Sequence, residues 1–203
     1  MSKGTLYVIR HCATEYNASN WISGNSDVPI IDKTVDISCY SRSENIKVYS
    51  SPLKRCIQTG NLLKDKIGFK RMQLDSRLKE RNMGIFDGVD RNICMQKCAD
   101  MFTSDGKFIL EKTPPNGESF NEFYERVSQF WSDISIELEN YDIIVISHNQ
   151  TLKVLYSIIN GLDIESIWKK LYFRNGSLVN LTSNARIEFS GDEELNVLDV
   201  RHC

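Results

Sequence analysis

The chain has 203 residues, with 25 Lys and Arg against 27 Asp and Glu, a formal net charge of −2. Apolar residues at 41% and charged residues at 26% exclude a disordered chain, and a chain this long buries roughly 70% of its unfolded surface without needing a disulfide or metal to fold. The near-neutral charge argues against a nucleic-acid binder, and no apolar run approaches the roughly 20 residues that span a bilayer.

In chain order, Thr5-Leu6-Tyr7-Val8-Ile9 is an apolar, β-branched run without alternation, the pattern of a strand buried on both faces. Residues 13–20 read as a short helix or turn, and the Ser-, Asn-, Asp- and Gly-rich stretch 21–45 as mostly loop. Ile46 to Ser50 is a second strand. Ser51 and Pro52 follow in the manner of an N-cap and first-turn proline, with a helix over Leu53 to Lys66. Met72 to Leu74 is a short strand, and a helix is expected near 91–102. From Ser119 to Glu139 the residues Phe120, Phe123, Val127, Phe130, Ile134 and Leu138 recur at helical spacing. Ile143 to Ile146 is the clearest buried strand. Gln150 to Asn160 is the helix after it, closed by Gly161. The tail from Ser177 to Val200 suggests one or two more strands around a turn at Ser190-Gly191-Asp192.

Strands alternating with helices predict an α/β fold, a three-layer sandwich with a mainly parallel central sheet. In such sheets ligands bind beyond the carboxyl ends of the strands. Two of the three histidines follow the two best buried strands, in Ile9-Arg10-His11 and Ile146-Ser147-His148. Parallel strands would bring both imidazoles to one sheet edge. Arg10 precedes His11, and Arg55 lies near the start of the helix after the second strand, where backbone N–H groups and the helix dipole favour an anion. A guanidinium offers a planar fork of donors matched to phosphate oxygens. Taken alone, Arg55 is an ordinary solvated helix residue, and either histidine an ordinary hydrogen-bonded strand end. Their convergence at strand ends is what points to a site. His202 is read as a surface or tail residue.

The cysteines at 12, 39, 56, 94, 98 and 203 read as reduced thiols in a cytoplasm. Met1 to Gly4 leads into the first strand without the apolar stretch of a secretory signal, which agrees with that location. Cys94 and Cys98, four apart on one helix face, could begin a zinc site. No suitably spaced Cys or His pair completes it, and packing is favoured.

These segments carry a resemblance. Arg10-His11-Cys12-Ala13-Thr14-Glu15-Tyr16-Asn17 resembles the Arg-His-Gly block of the histidine phosphatase superfamily, which includes the phosphoglycerate mutases. Ser50 to Thr59 resembles its second block. Leu78 to Gly84, ending in Phe86-Asp87-Gly88, resembles the segment bearing the acid. Gly117-Glu118-Ser119 and Ile146-Ser147-His148-Asn149 resemble the remaining two. The five stand in the family's order over residues 4–160.

The resemblance implies a phosphoglycerate mutase-like fold over residues 1–203, with a lid around 87–117. It implies that His11 is the nucleophile that forms a phosphohistidine, its other ring nitrogen donating to a carbonyl. Glu80 is implied as general acid, then base, in a partly desolvated site. Without the resemblance, Glu80 is a surface residue in the charged run 77–81. Arg10, Arg55 and His148 are implied to surround the transferring phosphoryl, with Asn17, Ser23, Gly24 and Asn149 adding donors at its rim. The implied mechanism needs no metal or cofactor. The implied partner is a small phosphorylated substrate, with neither nucleic acid nor membrane. A sheet edge leaves room for a homodimer, and nothing demands one.

Two departures stand out. Cys12 replaces the usual Gly after the nucleophile, adding volume near the pocket. Asn149 replaces the Gly after the second His, and Asn tolerates a left-handed backbone. The stretch 87–116 is short and lacks paired arginines for a substrate carboxylate, so a phosphatase is favoured over a mutase. A non-catalytic phosphate binder on the same fold would explain Cys12. It would not need His11, Glu80 and His148 together. A cysteine-based phosphatase would want an Arg six residues after Cys12, where Ala18 stands.

Overall fold

The computed structural model describes residues 4–104 and 106–182. The strands β1 (Leu6–Arg10), β2 (Ile46–Ser50), β3 (Met72–Leu74), β4 (Asp142–Ser147) and β5 (Leu178–Asn180) form one sheet in the order β3-β2-β4-β1-β5. The first four pair in parallel, and β5 joins the β1 edge antiparallel. The helices are α1 (Glu15–Ala18), α2 (Lys54–Ile67), α3 (Arg91–Lys97), α4 (Phe120–Ile134), α5 (Asn149–Asn160) and α6 (Ile164–Trp168).

Why the central strands lack alternation is visible in the packing. Leu6 and Val8 of β1, with Ile143 and Val145 of β4, face Phe123, Val127 and Phe130 of α4 and Leu152 and Leu155 of α5. Tyr7, Ile9, Ile144 and Ile146 face the opposite way, onto Cys56 and Leu63 of α2 and the loop residues Val35 and Cys39. Both sheet faces are covered, so the central positions Leu6 to Ile9 and Ile143 to Ile146 are all apolar. The result is the expected three-layer α/β sandwich. A third cluster, Ile22, Met83, Phe86, Cys94 and Phe102, lies under the 87–117 segment.

The expected strands stand within a residue or two of their sequence positions, and the differences lie at helix ends. Alpha-helix α4 starts with a capping box, the Ser119 hydroxyl and Glu122 side chain satisfying each other's backbone N–H groups. It passes into a 3-10 turn over Ser135–Glu139, so the predicted helix is two segments. The helix expected near 91–102 breaks at Cys98, whose φ of −140° and ψ of 55° end α3 before a second 3-10 turn. Gly161 closes α5 with a left-handed φ of 60°. Helix α2 begins later than predicted. Leu53 is its N-cap, in an extended conformation, and Asp27 Oδ1 from a distant loop accepts from Lys54 N. The turn around 190–192 and His202 lie outside the described residues.

Candidate active site

The carboxyl ends of β1, β2 and β4 share one sheet edge, and Arg10, Ser51 and His148 sit on or just after them. His11 Nδ1 lies 2.7 Å from the Cys12 carbonyl. A carbonyl only accepts, so Nδ1 carries the proton and Nε2 carries the lone pair. Among the described residues no hydrogen bond is made to that Nε2. The tautomer is the one implied for a nucleophile. Burial holds the His11 pKa well below the ordinary histidine value, and the Arg55 and Arg10 guanidiniums push it the same way. The Cys12 carbonyl opposes them.

His148 is fully buried, its ring centroid 5.2 Å from that of His11. Arg55 Nε donates to His148 Nδ1 at 3.1 Å. Guanidinium N–H groups only donate, so the His148 proton sits on Nε2, which meets Ser51 Oγ at 2.8 Å. Burial lowers the His148 pKa well below the ordinary value too, aided by Arg55 and then His11. Both imidazoles are therefore neutral near pH 7. Cys56 Sγ lies 3.5 Å from His148 Nε2, and burial pushes that thiol up to about 12, leaving it without thiolate character.

Ser51, read from sequence as a helix cap, is instead the partner of His148. Its Oγ also accepts from Leu53 N at 3.3 Å, one residue before the helix begins. Arg55 comes on the first turn of α2, at 0% exposure. Beyond His148, its two terminal nitrogens donate to the Ser26 carbonyl at 2.5 Å and the Gly24 carbonyl at 2.8 Å. Arg10 is nearly buried, with Nη1 on the Phe173 carbonyl and its guanidinium 5.0 Å above the Tyr172 ring. Its Nε is buried and has no hydrogen-bond partner among the described residues.

Glu80 enters from the segment after β3. Its carboxylate accepts from the Arg81, Gln150 and Thr151 backbone N–H groups, each at 3.2 Å. Two of those donors belong to the first turn of α5, directly after His148. Thus the helix start that follows one predicted catalytic residue holds another. The segment carrying Glu80 is pinned from behind. Ser147 Oγ donates to the Leu78 carbonyl and Thr151 Oγ1 to that of Lys79. Arg126 of α4 donates to the carbonyls of Arg77, Lys79 and Glu80 and pairs with Glu118. Glu80 is therefore buried rather than on the surface of its charged run.

The rim residues are more varied. Asn17 Oδ1 accepts from Thr14 N and Oγ1, closing the capping box of α1 and turning the Nδ2 end outward from it. Ser23 is half-buried beside Gly24. Gly24 does not present its amide to the pocket: the amide donates to Asp87 Oδ1 at 3.0 Å. A Cβ on Gly24 would stand 2.8 Å from the Arg81 carbonyl oxygen and from Met83 N, so only glycine fits. Asn149 is not left-handed. It opens α5, and its Oδ1 accepts from Phe173 N at 3.0 Å, because the helix start leaves no turn for a positive φ. Cys12 does not crowd the pocket. Its Sγ donates to the Thr34 carbonyl at 3.3 Å and packs in the cluster beneath β1.

Asp87, Arg81, Arg126, Ser51 and Thr151 were not singled out from sequence. Asp87 was quoted only within its block and Ser51 only as a helix cap, while Arg81, Arg126 and Thr151 bond to backbone groups far along the chain, which local spacing does not reveal. Cys94 is buried and Cys98 half-buried in the third cluster, as packing residues. Among the described residues no three His, Cys, Asp or Glu side chains converge to hold a metal ion, and no helix is long and apolar enough to cross a membrane.

A mainly parallel α/β sheet with two neutral histidines and two buried arginines at its carboxyl edge defines a class of phosphate-handling proteins. The chain belongs to the histidine phosphatase superfamily (branch 1), whose model matches residues 6–187. It is 26% identical over 169 residues to a candidate phosphoserine phosphatase of Hydrogenobacter thermophilus, covering 80% of this chain and 82% of that one. It is 25% identical over 175 residues to the 2,3-bisphosphoglycerate-dependent phosphoglycerate mutase of Bartonella bacilliformis, covering 80% and 84%. The crystal structure of the alpha-ribazole phosphatase from Shigella flexneri superposes with a TM-score of 0.72 at 23% identity, covering 86% of this chain and 88% of that one. That likeness speaks for the fold.

Proposed function

We propose that the protein is a phosphatase that hydrolyses a small phosphomonoester through a phosphohistidine on His11. The observation that carries this reading is the His11 ring itself. It is held neutral, its Nδ1–H on a carbonyl and its Nε2 lone pair without a partner among the described residues, under the charge of two buried guanidiniums.

In the first step the Nε2 lone pair forms a P–N bond as the ester P–O bond breaks. The departing oxygen takes a proton from the Glu80 carboxyl. In the second, water attacks phosphorus and gives its proton to the Glu80 carboxylate, the P–N bond breaks, and His11 is regenerated. Covalent catalysis of this kind divides one hard displacement into two easier ones. Charge develops on the equatorial phosphoryl oxygens, and Arg10 and Arg55 are the cations that meet it. The unpartnered buried Nε of Arg10 supports an anion there, since buried donors are otherwise satisfied. His148 holds Arg55 in register through Nδ1. Asn17 offers its Nδ2 at the rim.

We read residues 87–117 as the lid. Its residues Met95, Met101 and Phe102 pack on the third cluster rather than lining a substrate surface. The shortness of this segment favours hydrolysis over mutase-type transfer, which needs groups to hold a second phosphorylated molecule. The test is trapping with a ³²P-labelled aryl phosphate, quenched in alkaline SDS. Wild-type enzyme is expected to retain label that is acid-labile and alkali-stable. His11→Ala is expected to retain none and to lose turnover. Unchanged turnover in His11→Ala would end the proposal.

A further inference from the structure

Arg55 donates to three partners in the site, and the loop that supplies two of them is held by a residue to which no role has been given. Asp87 follows a 3-10 turn over Gly84–Phe86. Its Oδ1 accepts from Gly24 N at 3.0 Å and from Ser26 Oγ at 2.6 Å. Its Oδ2 accepts from Asn25 N at 2.5 Å and Ser26 N at 3.0 Å. Three consecutive backbone N–H groups and a hydroxyl thus converge on one carboxylate. The same loop turns its carbonyls the other way: Gly24 and Ser26 receive the two terminal nitrogens of Arg55. The Gly24–Asn25 peptide therefore bridges the two charged groups, its N–H on the carboxylate and its carbonyl on the guanidinium.

A guanidinium has five N–H donors. One goes to His148 and two to loop 24–26, which leaves one on each terminal nitrogen. These two are the fork that remains for a phosphate, and loop 24–26 sets the plane in which they lie. We propose that Asp87 is a positioning residue for phosphate binding: through loop 24–26 it fixes the guanidinium of Arg55 in the orientation that receives the phosphoryl group. It does not touch the substrate. Asparagine at 87 keeps the volume but replaces one oxygen with an amide donor, facing a set of donors. The loop then loses its clasp on one side, and Arg55 loses its two carbonyl partners on the other.

The inference rests on the phosphatase reading only in that Arg55 binds phosphate, so the test reads binding rather than turnover. Dissociation constants for inorganic phosphate are measured by calorimetry for wild type, Asp87→Asn, Arg55→Ala and the double variant. Asp87→Asn is expected to weaken binding about 10- to 100-fold, the scale of a misplaced recognition group. In the Arg55→Ala background the same change is expected to cost less than about twofold, because residues acting through one another are not additive. Ser26→Ala removes a single donor from the clasp and leaves the fold intact. It is expected to weaken phosphate binding a few-fold and, likewise, to do nothing without Arg55. If Arg55→Ala weakens binding while Asp87→Asn and Ser26→Ala either leave it unchanged or cost the same with and without Arg55, the positioning role is overturned and the phosphate site stands. If Arg55→Ala itself leaves phosphate binding unchanged, the phosphate site fails along with it.

Discussion

One hydrogen bond, from Arg55 Nε to His148 Nδ1 at 3.1 Å, fixes both a ring tautomer and the plane of a guanidinium. It also sets a cation against a buried imidazole, which keeps that imidazole neutral. The same guanidinium acts on His11, where it is the second cause of the lowered pKa after burial. Removing the charge should therefore let both histidines take up a proton at higher pH. In a ¹³C-histidine NMR titration, His11 and His148 of the wild type should stay neutral well below pH 6.5. In Arg55→Met their titrations should move upward, though not fully to 6.5, since burial remains the larger cause. Midpoints near 6.5 in the wild type would contradict the electrostatic picture.

The same shifts make stability depend on pH, and the sign follows from proton counting. In the unfolded chain both histidines titrate near 6.5. In the folded protein their pKa values lie well below that. Between the two values the unfolded state binds more protons, so stability falls as pH drops below about 6.5, by up to about 1.4 kcal/mol per pH unit for each histidine. Carboxylates with lowered values, such as Asp36 and Asp75, lose their contribution only as pH falls through the carboxylate range and below. Urea unfolding at pH 7 and pH 5.5 should therefore show a lower midpoint at 5.5. His11→Asn should remove about half of the slope. A midpoint unchanged between these pH values would count against two neutral buried imidazoles.

Glu80 is the residue whose substitution should depend on the substrate. A good leaving group departs without a proton and a poor one does not. Glu80→Gln should therefore slow alkyl phosphates by about 10²–10⁴-fold while slowing p-nitrophenyl phosphate far less when formation of the phosphohistidine limits the rate. Equal losses on both substrates would remove Glu80 from the role of proton donor. The bonds from Gln150 N and Thr151 N are to oxygens, and glutamine retains one, so the fold should survive.

How much of this was legible in the sequence depended on whether a residue's partners were near it in the chain. Apolar runs without alternation revealed β1 and β4, because covering both faces of a parallel sheet demands such runs. Their ends then located His11 and His148. The start of the helix after β2 added Arg55, and the motif block supplied Glu80. Ser51 was read as the helix N-cap, a place Leu53 takes; its hydroxyl accepts from Leu53 N, and only the fold shows that it also serves His148, 97 positions away. Cys12 and Asn149 were weighed as substitutions for glycine near the pocket. Their side chains in fact serve the Thr34 carbonyl and Phe173 N. Helix α6 was missed, although Asp163, whose side chain accepts from Ser166 N, carried a cap signal for it.

Cys12 gives a prediction opposite to that of a crowded pocket. Its thiol faces the core and the Thr34 carbonyl, while its backbone carbonyl, which any residue supplies, holds His11. Cys12→Ala should leave kcat/KM within about threefold and lower stability by about 1–2 kcal/mol, the range of a small buried truncation. Aryl phosphate kinetics and urea unfolding read the two effects separately. A rise in rate well above that range would mean that the thiol impinges on the site after all.

Arg81 couples the acid-bearing segment to the proposed lid. Its guanidinium is 1% exposed and donates to the carbonyls of Leu110, Lys112 and Glu118 at 3.1, 2.7 and 3.1 Å. Among the described residues no carboxylate is hydrogen-bonded to it, and burial brings its pKa down to about 10. Three carbonyls, two of them in the lid, thus share one buried cation that is the chain neighbour of Glu80. Arg81→Met fills much of the volume and leaves those carbonyls unpaired, so it should cost about 3 kcal/mol. The loss should be local before it is global. Amide exchange should accelerate first over residues 107–112, and kcat should fall as the lid no longer excludes water from the Glu80 carboxyl. Hydrogen-exchange mass spectrometry on the folded variant reads this directly. Uniform loss of protection across α4, α5 and the lid would show that Arg81 supports the whole layer rather than the lid alone.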